Sequence, residues 1–244
     1  RMKGVELGKT AVWSLAPIVG YDHPFLAVNT TFIIHTWFVL IILFLTLLPV
    51  KWILKQTKIG RFLILSFINF FINLTQQATK TFSFAHFSFI TALFSFILIC
   101  NIISVIPWIE EPTQDLNMTL TLSIIAFIYI QVVSIKAHGI VSYIKEYFSP
   151  FFFMFPLNVV GKLSSIISIS FRLFGNIFGS AILTQIYFGA MQGSIISELL
   201  GLFSGINILL VLFFTLFEGF LQAFVFAMLT LTYLSIGLRT QEDS

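Results

Sequence analysis

The chain has 244 residues, of which 58% are hydrophobic, 17% aromatic and only 9% charged, with a mean hydropathy of +1.00. A soluble domain carries roughly 25% charged residues, so a soluble enzyme is excluded. An outer-membrane barrel is excluded too, because the apolar runs are continuous and do not alternate.

At about 20 residues per crossing, the length accommodates five or six spans and no large soluble domain. The expected fold class is an all-α polytopic membrane protein. The net charge is +3, and the 13 Lys and Arg residues are scattered through apolar sequence, with no patch for nucleic acid. Cys100 is the single cysteine, so no intramolecular disulfide can form.

Residues 1–30 hold a short apolar stretch, Ala11 to Val19, broken by Pro17. They read as an extracytoplasmic, amphipathic tail in preference to a signal peptide. A first span is expected over 31–50. Lys51, Lys55, Lys58 and Arg61 follow it, and the positive-inside rule places that cluster in the cytoplasm. In 51–83, Asn69, Asn73, Gln76 and Gln77 interrupt the Phe, Ile and Leu residues, which predicts a cytoplasmic or interfacial amphipathic segment. A second span is expected over 84–106. The outer loop 107–117 holds Trp108, Glu110, Glu111 and Asp115, and a third span follows over 118–135.

The segment 136–156 is again cytoplasmic or interfacial. Two long apolar stretches complete the chain, Leu157 to Gln192 and Ile195 to Leu238, with weak breaks at Gly189, Gly193, Gly201 and Gly205. The corresponding membrane helices are placed at 157–192 and 201–238, joined by an outer connection, 193–200, and followed by a cytoplasmic end, 239–244. A continuous 36-residue helix would be roughly 54 Å long, against an apolar layer about 30 Å thick. Either each stretch is an ordinary span with frayed ends, or both are long helices lying obliquely; the residues leave both readings open.

In this layout Lys51, Lys55, Lys58, Arg61, Lys80, Lys136, Lys145, Lys162 and Arg239 lie inside, and Arg1, Lys3 and Lys9 lie outside. Arg172 alone is unaccounted for. An arginine deep in a bilayer costs at least about 2.5–3.5 kcal/mol and cannot shed its proton, so it must face protein, water or a carboxylate. Ser165, Ser168, Gly175, Asn176 and Gly179 recur around it at spacings of three and four. Such a face of small and polar side chains suits close helix packing. It would also suit a partner helix that presents a carboxylate.

Glu218 is the acidic residue deep in the last stretch, and Gln222 lies one helical turn beyond it. Membrane carboxylates of this kind build proton relays. Thr215, Glu218 and Gln222 share a predicted helix face, and Tyr233 returns nearly to it, so the four outline a polar line through an apolar helix. His35 falls within the first span and reads as a hydrogen-bonded structural histidine in preference to a member of a proton path; His86 and His138 fall near the inner interface, and His23 lies in the tail. No histidine has metal-ligand spacing, and no phosphate loop, nucleophile elbow or metalloprotease motif is present. Neither a cofactor nor a metal is expected, and no residues for covalent chemistry are visible.

Two segments resemble subunit a of the membrane sector of F-type ATP synthases: Ser-Phe-Arg172-Leu-Phe-Gly-Asn176, and Leu221-Gln222-Ala-Phe-Val-Phe-Ala-Met-Leu-Thr-Leu-Thr-Tyr233-Leu-Ser. Pro112-Thr-Gln-Asp-Leu-Asn-Met-Thr119 and Pro156-Leu-Asn-Val-Val160 are more weakly similar, and the likeness covers about the last 60% of the chain. The resemblance implies that the last two helices are long and tilted and form a hairpin facing a ring of c subunits. It also implies peripheral-stalk b subunits and membrane lipid as further partners, within a whole ATP synthase.

By the same resemblance, Arg172 is the essential charge facing the ring carboxylate. Two aqueous half-channels lead to it, with Asn176 and Gln222 close by, and Ser165, Ser168, Gly175 and Gly179 pack toward the ring. The implied location is a bacterial inner membrane, or alternatively an organellar energy-transducing membrane. The family's usual ionisable groups are replaced here by Ala181 and Thr215, and Glu218 is the candidate to take over that half-channel role. Gly161-Lys162 stands where an acidic pair is common. The competing reading is a self-contained ion-coupled secondary transporter with Arg172 and Glu218 as an internal pair. No second copy of the arginine segment supports the internal repeat that such transporters show.

Overall fold

The computed structural model describes residues 12–14, 27–103, 112–148, 151, 153–191, 205, 209–210 and 212–239. Trp108, Glu110 and Glu111, the connection 193–200, and the C-terminal residues beyond Arg239 lie outside the described residues. Two three-residue strands, β1 (Val12–Ser14) and β2 (Ala27–Asn29), pair antiparallel with Val12 opposite Asn29. This small pairing was not expected of the N-terminal tail. Among the described residues the elements after it are all helices, and six of these spans are long and apolar enough to cross a membrane.

Local chemistry sets the breaks between helices. Helix α1 (Thr30–Leu47) stops two residues before Pro49, whose ring lacks an N–H to continue the ladder. The chain restarts as α2 (Val50–Gln56) with Pro49 as its N-cap. Thr57, in extended conformation, separates α2 from α3 (Lys58–Thr79). At Gly60 a Cβ would collide with Ile53 and sit 2.6 Å from Thr57 Oγ1, so the tight α2–α3 corner requires glycine there.

Helix α4 (Phe84–Ile102) leads through a short 3-10 turn, Pro112–Gln114, to α5 (Leu116–His138). Asp115 caps α5, its carboxylate accepting from the Asn117 N–H at 2.9 Å. This satisfies an orphan donor at the positive end of the helix. Gly139 ends α5 with φ at +79°, a conformation open to a residue without Cβ, and α6 (Ile140–Phe148) follows.

The first long stretch is one unbroken helix, α7 (Met154–Met191), 38 residues long. Pro156 is tolerated because it lies in the first turn, where N–H groups have no intrahelical acceptor. At about 1.5 Å per residue α7 is about 57 Å long, well beyond a perpendicular crossing of about 30 Å. The frayed-span reading therefore does not hold for this stretch. Gly189 does not break it, whereas Gly205, with φ at +68°, stands outside any helix. The last helix opens with a π-helical segment, Leu212–Glu218, and continues as α8 (Gly219–Arg239).

The core forms where α3, α4, α5, α7 and α8 meet. Phe71, Phe94, Ile97, Leu173, Ala223, Phe226 and Leu234 are all at most 2% exposed, and the Phe71 and Phe94 rings stand 5.0 Å apart. Val39 of α1 joins Cys100 and Ile103 in a second cluster that fastens α1 to the end of α4. The cysteine is buried.

Helix α3 is long and apolar enough for a crossing, in a region where the sequence predicts an interfacial segment. It buries only Phe71 and Thr75, and Lys58, Ile59, Arg61, Phe62 and Leu63 are exposed. Replacing Phe226 with Ala should open a cavity among α4, α5 and α8 and cost about 3–5 kcal/mol. The expected result is a clear drop in the denaturing-detergent concentration at which the subunit unfolds.

Candidate functional site

Arg172 sits at the midpoint of α7, and its side chain is exposed. The helix buries Ile166, Ile169, Ser170, Leu173 and Ile177 against the core, and it turns Ser168, Phe171, Arg172, Gly175 and Phe178 outward. A side chain at any of Gly161, Gly175 or Gly179 would meet nothing within 4 Å, so these glycines do not serve packing within the chain. No ion pair joins Arg172 to a described residue.

One turn beyond the arginine, the Asn176 amide donates to Gln222 Oε1 at 2.6 Å, linking α7 to α8. Gln222 is 4% exposed. Asn176, Gln222, Glu218, Asn101, Ser180 and Phe214 line a small void of about 10 Å³, which has room for about one water molecule. Oxygen Oε2 of Glu218 is buried there without a hydrogen-bond partner.

A separate cavity of about 600 Å³ opens where the Lys136 end of α5, the first half of α7 and the end of α8 diverge. Its polar lining includes Gln131, Ser134, Asn158, Lys162, Thr230 and Tyr233. The Lys162 ammonium lies 4.0 Å from the Tyr147 ring centre and 4.9 Å from that of Tyr143. Tyr143 donates to Gln131 and lies 2.6 Å from the Tyr147 hydroxyl. Thus a cation held by aromatic faces occupies the place where the resemblance leads one to look for carboxylates.

The two cavities share no lining residue. Between them, along α7, lie residues 170–175 with Arg172, and along α8 lie the buried Ala223, Phe226 and Ala227. Thr119 and Ser170 close the gap with a buried hydroxyl pair at 3.1 Å.

The structure therefore brings together Glu218, Gln222 and Asn176. Tyr233 belongs to the other cavity, with Ser165, whose hydroxyl donates to the Lys162 carbonyl at 2.7 Å. Thr215 does not line the void, and Phe214 does. In a π-helix the backbone closes i→i+5 and not i→i+4, so the periodicity that would put Thr215 above Glu218 is shifted.

Sequence reading missed Asn101, Thr113, Thr119, Ser170 and Ser180. Asn101 carried a usable signal, an amide inside an apolar span. The small hydroxyls carried none, because Ser and Thr can satisfy themselves on their own helix carbonyls. His86 Nδ1 lies 2.8 Å from the Tyr129 hydroxyl, and His138 Nε2 lies 3.0 Å from the Gly237 carbonyl. His35 Nδ1 is buried without a partner. Among the described residues no group of three metal-ligating side chains occurs.

Fold and site together define a multi-pass helical membrane protein with a fixed charge at mid-helix and polar cavities to either side of it. The family model described as "ATP synthase A chain" matches residues 33–235, and the chain belongs to that family, whose members are non-catalytic membrane-sector subunits of proton-translocating ATP synthases.

The chain is 28% identical over 237 residues to ATP synthase subunit a 2 of Picosynechococcus, covering 92% of each chain. It is 31% identical to ATP synthase subunit a of Moorella thermoacetica, covering 83% of this chain and 88% of the relative. For the subunit a of Acidothermus cellulolyticus the identity is 37%, over 61% and 53%. The similarity thus extends further toward the N-terminus than the motifs around Arg172 and Gln222.

Replacing Thr119 with Val should cost about 1 kcal/mol by stranding the Ser170 hydroxyl, and replacing Ser170 with Ala should cost less, because Thr119 keeps its bond to the Leu116 carbonyl. The double variant should lose less than the sum, read as the temperature at which the assembled membrane sector releases this subunit.

Proposed function

We propose that this chain is the proton-conducting stator of its ATP synthase, and that protons pass between two half-channels on a carboxylate of a rotating ring of c subunits, which Arg172 holds in its ionised form as it goes by. The observation that carries the reading is the placement of Arg172, exposed at the middle of a 38-residue helix and flanked by two cavities with no residue in common. An arginine that is always charged and turned away from its own bundle needs an anionic partner from another chain. The small and polar surface made by Ser168 and Gly175 would let that partner's helix come close.

Chemistry follows from these charges. A ring carboxyl that approaches Arg172 is driven toward its ionised form, because a nearby cation stabilises the anion. Its proton leaves through one cavity. Once past the arginine, the carboxylate must take up a proton from the other cavity before it meets lipid, where a bare charge is expensive. The same guanidinium repels protons that would cross directly, and the dry layer of Ala223, Phe226 and Ala227 keeps the cavities apart. Ion flow is thereby forced through rotation of the ring.

In this reading Glu218, Asn176 and Gln222 handle protons on the outer side. Thr230, Tyr233 and the cavity near Lys162 serve the inner side. The positive-inside pattern places the N-terminus outside and the C-terminus in the cytoplasm of a bacterial inner membrane. With α3 lying along the inner interface, α4, α5, α7 and α8 alternate in direction and keep Lys136 and Lys162 inside. Peripheral-stalk b subunits and lipid would cover the exposed apolar faces of α1 and α3. A self-contained transporter would pair Arg172 with Glu218, and no such pair is formed among the described residues.

Inverted vesicles carrying Arg172→Ala should lose ATP-driven proton uptake entirely while the complex stays assembled. Uptake at the normal rate would overturn the proposal. Glu218→Gln removes the outer-side proton acceptor and should reduce uptake by about 10²-fold or more, within the range assigned to a positioned acid–base group; an unchanged rate would remove Glu218 from the path.

A further inference from the structure

Asn101 lies in the last turn of α4, is 1% exposed, and has no part in the mechanism above. Its amide nitrogen donates to the Gly219 carbonyl at 3.0 Å, and its amide oxygen accepts from Thr113 Oγ1 at 3.1 Å. Thr113 is fully buried in the 3-10 turn that leads into α5. Gly219 is the residue directly after Glu218 and the first of α8 after the π-helical segment. A Cβ at Gly219 would stand 3.0 Å from Asn101 Cβ, so a side chain there would press directly on Asn101. Asn101 also lines the same void as Glu218.

π-Helical turns are rare and hold only where surrounding contacts maintain them. Here one side chain grips the carbonyl at the π-to-α junction and is itself fixed by a buried hydroxyl from a different element. We propose that Asn101, clamped by Thr113 and seated against Gly219, is a positioning residue that holds the π-to-α junction in register and so keeps the Glu218 carboxyl in the outer void. Without the clamp the junction can rewind toward regular α-helix, which rotates Glu218 relative to Asn176 and Gln222. This inference rests on Glu218 serving the outer path.

The test is ATP-driven proton uptake in inverted vesicles carrying the whole complex, with ATP hydrolysis and subunit content measured on the same membranes. Asn101→Leu keeps the volume and removes both hydrogen bonds. It should lower uptake about tenfold, equivalent to about 1.4 kcal/mol, at unchanged assembly. Glu218→Asp shortens the carboxyl and should also lower uptake. The double variant Asn101→Leu/Glu218→Asp should be no slower than the slower single variant, because both act on the placement of one group.

Losses that multiply would show that Asn101 is merely structural and overturn the inference, as would normal uptake by Asn101→Leu in membranes where Glu218→Gln is inactive. Normal uptake by Glu218→Gln would instead overturn the assignment of Glu218 itself. Should Asn101→Leu prevent assembly, Thr113→Val removes a single hydroxyl. It should then give a smaller loss in the same direction, and a multiplicative loss with Glu218→Asp would again overturn the inference.

Discussion

A guanidinium that cannot be neutralised, placed at the middle of an apolar helix, is the constraint on which the rest of this protein depends. Arg172 cannot lose its proton and cannot be left in lipid without a cost of several kcal/mol. The core offers it no solution, since Ile169, Leu173 and Ile177 occupy the inward face of α7. The charge is therefore carried outward on a face of small residues, and the polar groups that serve it gather to either side along the helix axis. A buried ion pair would have satisfied the arginine, but under the proposed function it would also have removed its capacity to act on a carboxylate from another chain.

The remaining architecture holds the helix that carries that charge and keeps the two cavities without a common lining residue. Close helix contacts, made where α8 meets α4 at Gly219 and α5 at Gly237, hold the bundle together. In lipid, association of helices relies on such packing and on buried hydrogen bonds, because the surrounding tails are as apolar as the helix faces. The bonds Asn101–Gly219, Thr119–Ser170 and Asn176–Gln222 each join two different helices. Two of them border the small void, and the third lies between the two cavities. The polar groups thus hold the bundle together and, in the proposed function, also outline the proton path.

In the proposed function, local backbone geometry compensates for a departure from the family's usual ionisable positions. With Thr215 and Ala181 in place of titratable residues, Glu218 is the carboxyl that lines the small void, and it does so from the end of a π-helical segment. On the other side, the Lys162 ammonium over two tyrosine rings and the hydroxyl–amide chain Gln131–Tyr143–Tyr147 supply polarity where acidic groups would be looked for.

Composition and hydropathy alone determined that the chain is a helical membrane protein, and the cost of burying a charge singled out Arg172 and Glu218, because those penalties do not depend on tertiary context. The small and polar face around the arginine was also legible, since helical periodicity places residues three and four apart on one side. Tertiary structure alone decided that the first long stretch is one continuous helix, because glycine in a membrane helix neither requires nor forbids a break. It decided that Tyr233 and Glu218 lie in different cavities, that Thr215 is displaced by π-helical register, and that Asn101 and Ser170 are bonded across helices. Each of these depends on which residues from distant segments meet, and a small hydroxyl or amide in an apolar run gives no sign of its partner until the helices have packed.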